Sequence, residues 1–282
     1  MARIEIDGVG LEFELLGPAG GAAIAITPGG RFARDATGLP ELGGLLADGG
    51  YRVLLWDRPN CGASDLHFAG DGESSMQAAF LVKLIRALEL GPTALIGGSA
   101  GARISLFAAK ADPAAVSRLA LWWISGGLLG LMRLGSYYCC EPAEEASLRG
   151  MEAVARMSIW TQQLARNPGN RAILLSQDRA AFIAVMNRWA QGYVPDPDSP
   201  VTGLDRNDFA RMTMPALLLR GSPRDLYHPA WVCEQVQRLL PNSRLVDPPW
   251  PLDIFASRMT DGSGLFSDWP LLAPRIIAFM QE

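Results

Sequence analysis

Ser99 is the side chain in this sequence with the clearest setting for nucleophilic chemistry. The stretch ALIGGSAGARIS (94–105) carries an apolar run into Gly97-Gly98-Ser99-Ala100-Gly101 and then into a helical pattern. This matches G-x-S-x-G, a tight strand-to-helix turn whose glycines permit the bend and whose serine stands exposed at the tip in a strained backbone conformation. The start of the following helix favours developing negative charge. A serine hydroxyl is a poor nucleophile unless an adjacent base, most often histidine, takes its proton. The chain contains only two histidines, His67 and His228. The plainer reading is a glycine-rich turn in which Ser99 does no more than cap the helix.

Three further segments follow apolar runs and so fall at the same end of a sheet. Thr27-Pro28-Gly29-Gly30 offers a glycine pair whose backbone N–H groups, with that of Ala100, could hold an oxyanion. Asp57-Arg58-Pro59-Asn60-Cys61-Gly62-Ala63-Ser64 reads as structural; Cys61 has no histidine beside it in sequence. GSPRDLYHP (221–229) offers Asp225 and, three residues on, His228. His228 is the better base because it shares a loop with a carboxylate that could fix its tautomer, although that spacing requires the loop to fold back toward Ser99. Its alternative is a loop histidine at the start of the helix near Pro229. His67 suits substrate contact, or no role at all, better than base catalysis. Asp225 acting directly or through water is the third option, and a carboxylate of ordinary pKa is a feeble base for a hydroxyl unless burial raises it.

These segments need elements to hold them. ARIEID and LEFELLG alternate across Gly8-Val9-Gly10 as a hairpin, and AAIAIT, YRVLLWD, RLALWWIS, PALLLRG and RLVD have the length and apolarity of buried strands. Helical patterns lie between them, most clearly SMQAAFLVKLIRALELG (75–91). The alternation implies an α/β protein with a mostly parallel sheet flanked by helices, whose ligands bind beyond the carboxyl ends of the strands. Residues 126–213 break the pattern with helices alone, which divides the chain into a core (1–125 and 214–282) and an inserted helical cap or lid (126–213). Met151, Met157, Trp160, Met186 and Trp189 of this insertion are expected to roof an apolar pocket while packing among themselves.

Composition bounds the rest. The 282 residues, 49% apolar, suffice for one large core, and the net charge of −4 argues against a nucleic-acid partner. The four cysteines form no metal-ligand spacing and suit a reducing compartment. Neither a signal peptide nor a membrane-spanning run is visible. The expectation is a cytoplasmic protein with no metal or cofactor and a small apolar substrate; a homodimer is compatible with all of this.

Taken together, TPGG, DRPNCGAS, GGSAG, the helical insertion and GSPRD resemble, in order and over nearly the whole length, the α/β-hydrolase superfamily. The resemblance implies Ser99 as nucleophile, Asp225 as the acid, and an oxyanion hole from Gly29 or Gly30 with Ala100. It also implies a histidine in the loop after the last strand, here VDPPWPLDIFASRM (246–259), which has none. Trp250 stands about where the imidazole is expected and is assigned to line or plug the pocket. Three functions follow: hydrolysis of a small apolar ester, lactone or related carbonyl compound with an atypical triad; a lyase, isomerase or cyclase using only the oxyanion hole; or a ligand-binding protein on a degenerate scaffold.

Overall fold

A computed structural model describes all residues 1–282. Strands β1 (Ala2–Ile6), β2 (Val9–Leu16), β3 (Ala23–Thr27), β4 (Arg52–Trp56), β5 (Thr93–Gly98), β6 (Val116–Trp122), β7 (Ala216–Leu219) and β8 (Ser243–Val246) form one sheet in the order β1-β2-β4-β3-β5-β6-β7-β8. β1 and β2 are antiparallel, as is β2 with β4; every pairing from β4 through β3 to β8 is parallel. The central strands β3, β5 and β7 are buried along their whole length, as a sheet covered on both faces requires.

Successive residues of each strand feed two cores. Leu54, Leu95, Leu119 and Leu218 join one cluster with helices α2 (Glu73–Ala87) and α3 (Ala100–Ala111). Their neighbours Val53, Ile96, Ala120 and Leu217 join the other, with α1 (Leu39–Asp48). The chain's last helix also packs there.

Between β6 and β7 lie seven helices: α4 (Leu128–Gly135), running into a π-helical turn at Ser136–Cys140, α5 (Glu141–Arg149), α6 (Met151–Val154), α7 (Ser158–Arg166), α8 (Gly169–Leu175), α9 (Arg179–Ala190) and α10 (Arg206–Arg211). The stretch 144–166, which reads as one helix, is three: Gly150, at φ 80°, separates α5 from α6, and Met157, extended at φ −67° and ψ 142°, separates α6 from α7. After β7 come α11 (Ala230–Leu239), β8, α12 (Ile254–Asp261) and α13 (Ala273–Met280). No helix is long and apolar enough to cross a membrane.

The insertion does not keep a core of its own. Trp160, Met186 and Trp189 are buried in the same cluster as α2 and α3, and Met151 and Met157 pack against it. Phe68, from the β4–α2 connection, joins the two parts: its ring meets Trp160 at 5.6 Å, Phe182 at 5.2 Å and Trp189 at 6.1 Å between centroids. The expected ceiling residues therefore hold the cap onto the core.

Candidate active site

Ser99 sits between β5 and α3 with φ 57° and ψ −120°, a region that a non-glycine residue occupies only when its surroundings hold it there. Its N–H donates to the carbonyls of Trp122 and Trp123 at 3.2 and 3.0 Å, which pins the turn to the end of β6. A Cβ on Gly101 would lie 2.0 Å from the Thr27 carbonyl oxygen, so only glycine lets α3 start this close to β3. The strain and close packing put the Ser99 hydroxyl at the floor of a cavity of about 300 Å³.

The loop after β7 brings both remaining groups to that hydroxyl. Asp225 Oδ1 accepts the N–H groups of Tyr227 at 2.8 Å and His228 at 3.0 Å, an Asx-type turn that reverses the chain within three residues. Gly126 N–H donates to the Tyr227 carbonyl at 3.1 Å and ties the turn to the connection that follows β6. The second carboxylate oxygen, Oδ2, is thereby free to meet His228 Nδ1 at 3.0 Å, and His228 Nε2 lies 2.9 Å from Ser99 Oγ. With Asp225 ionised, the proton sits on Nδ1, and Nε2 is left to accept the Ser99 hydroxyl proton. The short spacing that looks awkward in sequence is what closes the turn.

Electrostatics and packing hold this geometry. Burial would raise the Asp225 carboxyl, but hydrogen bonds from the His228 ring and two backbone amides outweigh it and keep it below its ordinary value. His228 is 2% exposed, stacked on Trp123 at 6.2 Å and met edge-on by Phe255 at 4.5 Å. Trp123 itself has φ 49°, a second strained residue in contact with the site. Ser125 Oγ lies 3.4 Å from Ser99 Oγ.

Gly29 and Gly30 line the same cavity. A Cβ on Gly29 would stand 3.0 Å from that of Ser99, and Gly30 adopts φ 47°. The N–H groups of Gly30 and Ala100 donate to no acceptor in the fold; that of Ala100 is one of those a helix start leaves free. The remaining walls are Phe32, Trp123, Leu134, Tyr137, Tyr138, Tyr227, Phe255, Met259, Leu265 and Phe266, with Arg133 among them. The roof thus comes from α4 and its π-helical turn, in place of the methionines and tryptophans expected there.

Other expectations are corrected. Trp250 does not line or plug the cavity: it is 6% exposed and packs in the α1-side core, 5.8 Å from Trp123. The segment that carries it borders the site through other residues: Asp253 accepts a hydrogen bond from Ser222 Oγ and pairs with Arg224, clasping the loop that holds Asp225, and Phe255 and Met259 line the cavity. His67 stays away from the cavity, edge-on to Phe80 at 5.4 Å, and burial lowers its pKa. Cys61 is fully buried, and burial pushes its thiol up to about 12, which leaves it no nucleophile. The wall residues Phe32, Phe255 and Phe266 come from connecting segments and a helix whose facing no periodicity reveals. Tyr137 and Tyr138 lie in a helix register that departs from 3.6 residues per turn.

A sequence model described as the alpha/beta hydrolase fold matches residues 38–123. No curated protein matches the sequence. Among solved structures, a hydrolase from Pseudomonas aeruginosa is 19% identical with TM-score 0.61, covering 100% of this chain and 98% of that one. An enol-lactonase from Burkholderia xenovorans is 16% identical with TM-score 0.59 and full coverage of both chains, 100% each. An esterase from a Rhodococcus species is 16% identical with TM-score 0.59, covering 99% of this chain and 98% of that one. The matched segment spans the strands and helices that carry Ser99, the structural likeness extends over the whole length, and the chain is an α/β-hydrolase-fold protein.

Proposed function

We propose that this protein is a serine hydrolase of small apolar esters or lactones, with Ser99, His228 and Asp225 as its triad. The observation that carries this reading is the continuous chain from Asp225 Oδ2 to His228 Nδ1 at 3.0 Å and from His228 Nε2 to Ser99 Oγ at 2.9 Å. Ser99 Oγ attacks the substrate carbonyl while its proton passes to Nε2. The tetrahedral oxyanion accepts hydrogen bonds from the Gly30 and Ala100 amides. On collapse, the C–O bond to the alcohol breaks and the leaving oxygen takes the proton from His228. Water then enters, gives a proton to Nε2, and releases the acid from Ser99 by the same path in reverse. A cavity of about 300 Å³ with mostly aromatic and aliphatic walls suits a small apolar acyl group. The non-hydrolytic alternative rests on the want of a histidine after β8; His228 within hydrogen-bond reach of Ser99 favours hydrolysis over it. Hydrolase, enol-lactonase and esterase neighbours are compatible with this chemistry.

The test is covalent labelling by a fluorophosphonate, read by intact-mass and peptide mass spectrometry. Stoichiometric modification of Ser99 that collapses in His228→Ala is the expected result. A wild-type protein that stays unlabelled, and that does not turn over an activated aryl ester, would sink the proposal.

A further inference from the structure

Arg58 belongs to the DRPNCGAS turn, whose reading above is purely structural, yet its contacts run to the glycine pair beside Ser99. The residue is 1% exposed and has no carboxylate within ion-pair distance. Its Nε donates to Gln77 Oε1 at 3.1 Å, and Gln77 Nε2 donates onward to the Pro59 carbonyl at 2.7 Å, which fixes the guanidinium plane from behind. Its Nη2 donates to the Gly29 carbonyl at 3.2 Å and also to the Gly30 carbonyl. A buried cation is thus spent on two successive backbone carbonyls of one loop.

In a trans peptide the N–H and C=O point in opposite directions, and the chain has no cis peptide. Drawing the Gly29 carbonyl toward Arg58 turns the Gly30 N–H away from it. Gly29 and Gly30 meet Arg58 on one side and line the Ser99 cavity on the other, whereas Arg58 is not part of the cavity wall. Gly30 holds a left-handed φ of 47°, a conformation glycine adopts freely and also leaves freely, so some contact must hold the loop in it. A full positive charge on the Gly29 carbonyl also polarises that peptide and makes its N–H a stronger donor.

We propose that Arg58 is a positioning residue for the oxyanion hole, orienting and polarising the Gly29–Gly30 peptide so that the Gly30 N–H meets the developing oxyanion. This rests on the serine-hydrolase reading above. The probe is a trifluoromethyl ketone labelled with carbon-13 at its carbonyl, which forms a hemiketal with Ser99; its resonance against pH reports the acidity of the hemiketal oxyanion. In Arg58→Met we expect that acidity to weaken and kcat on an aryl ester to fall roughly 10- to 100-fold at little-changed KM, short of the loss from deleting a donor outright. Arg58→Lys keeps the charge without the fork and should fall between. It carries the test if Arg58→Met does not fold. Arg34→Met is the control: Arg34 is also buried but pairs with Asp57, so that variant should lose stability and leave the hemiketal unchanged. Unaltered oxyanion acidity in the Arg58 variants, with activity loss tracking only the loss of folded protein, overturns the inference while leaving the serine hydrolase intact. A wild type that forms no hemiketal overturns both, and so separates the two failures.

Discussion

Replacing His228 tests the triad most directly, and two substitutions divide its chemical role from its packing role. In His228→Ala the base is gone, and kcat on an activated ester should fall by about 10⁵- to 10⁶-fold, equivalent to about 7–8 kcal/mol of barrier. The oxyanion hole alone should leave a residual rate about 10³-fold above water. The same substitution has a structural cost. Asp225 Oδ1 keeps two backbone amides, but Oδ2 loses its only side-chain donor, and a buried unpaired acceptor costs about 1–3 kcal/mol. The void left between Trp123 and Phe255 adds on the order of 1–2 kcal/mol. His228→Gln fills most of that space and offers Asp225 an amide N–H, so it should unfold close to the wild-type midpoint while being just as inactive. The assay pairs aryl-ester turnover with denaturant unfolding for both variants. If either retains a kcat within about 100-fold of wild type, His228 is not the base, because loss of general base catalysis alone exceeds that factor.

A restoration experiment sharpens the point. Placing histidine at the position that the family pattern indicates, as Trp250→His in the His228→Ala background, should restore nothing. Trp250 lies in the α1-side core against Trp123 and is not among the residues that line the cavity. An imidazole there would be buried among apolar rings, away from Ser99 Oγ. Recovered turnover would mean that the stretch around residue 250 can leave the α1-side core and swing into the site, contrary to the clasp that Asp253 makes with Ser222 and Arg224.

Three other outcomes are expected. Asp225, held below its ordinary pKa in the folded chain, contributes stability that is present above the unfolded carboxylate value of about 4 and is lost as pH falls through the lower folded value; urea midpoints of wild type and Asp225→Asn should therefore converge in acid, and a pH-independent gap would refute the assignment. Gly30→Ala would force a Cβ to 3.0 Å from the Phe32 ring at φ 47°, so it should lose about 1–2 kcal/mol of stability and more than tenfold in kcat, with unchanged turnover counting against Gly30 as the donor. Asp253→Ala releases the clasp on the β7 loop and should lower kcat with little change in KM for a small ester; a change confined to KM would assign Asp253 to substrate contact instead.

The sequence carries the sheet and the turn at Ser99 in local patterns. Buried strands such as β3 and β5 are short apolar runs closed by glycine or proline, and Gly97, Gly98 and Gly101 mark a bend that only small residues allow. What it does not carry is facing. Trp160, Met186 and Trp189 have the composition of a pocket roof, but periodicity says only that residues share a face, never which neighbour that face meets; here it meets Phe68 and the α2–α3 core. Tyr137 and Tyr138 turn to the cavity because a π-helical turn shifts their register, which no 3.6-residue pattern anticipates. The imidazole is the least legible element of the site. The sequence marks His228 as the better base only by its place on the Asp225 loop, while the resemblance expects the histidine after β8, where Trp250 stands; geometry requires only that an imidazole be oriented by a carboxylate and touch the serine. Both conditions can be met from one loop when the acid also forms the turn: one Asp225 oxygen takes the amides that reverse the chain, and the other takes the ring that the reversal brings back. On the serine-hydrolase reading, a loop after β8 without histidine does not leave the site without a base, since the loop after β7 can supply acid and imidazole together while Asp253 and Phe255 of the later segment brace it.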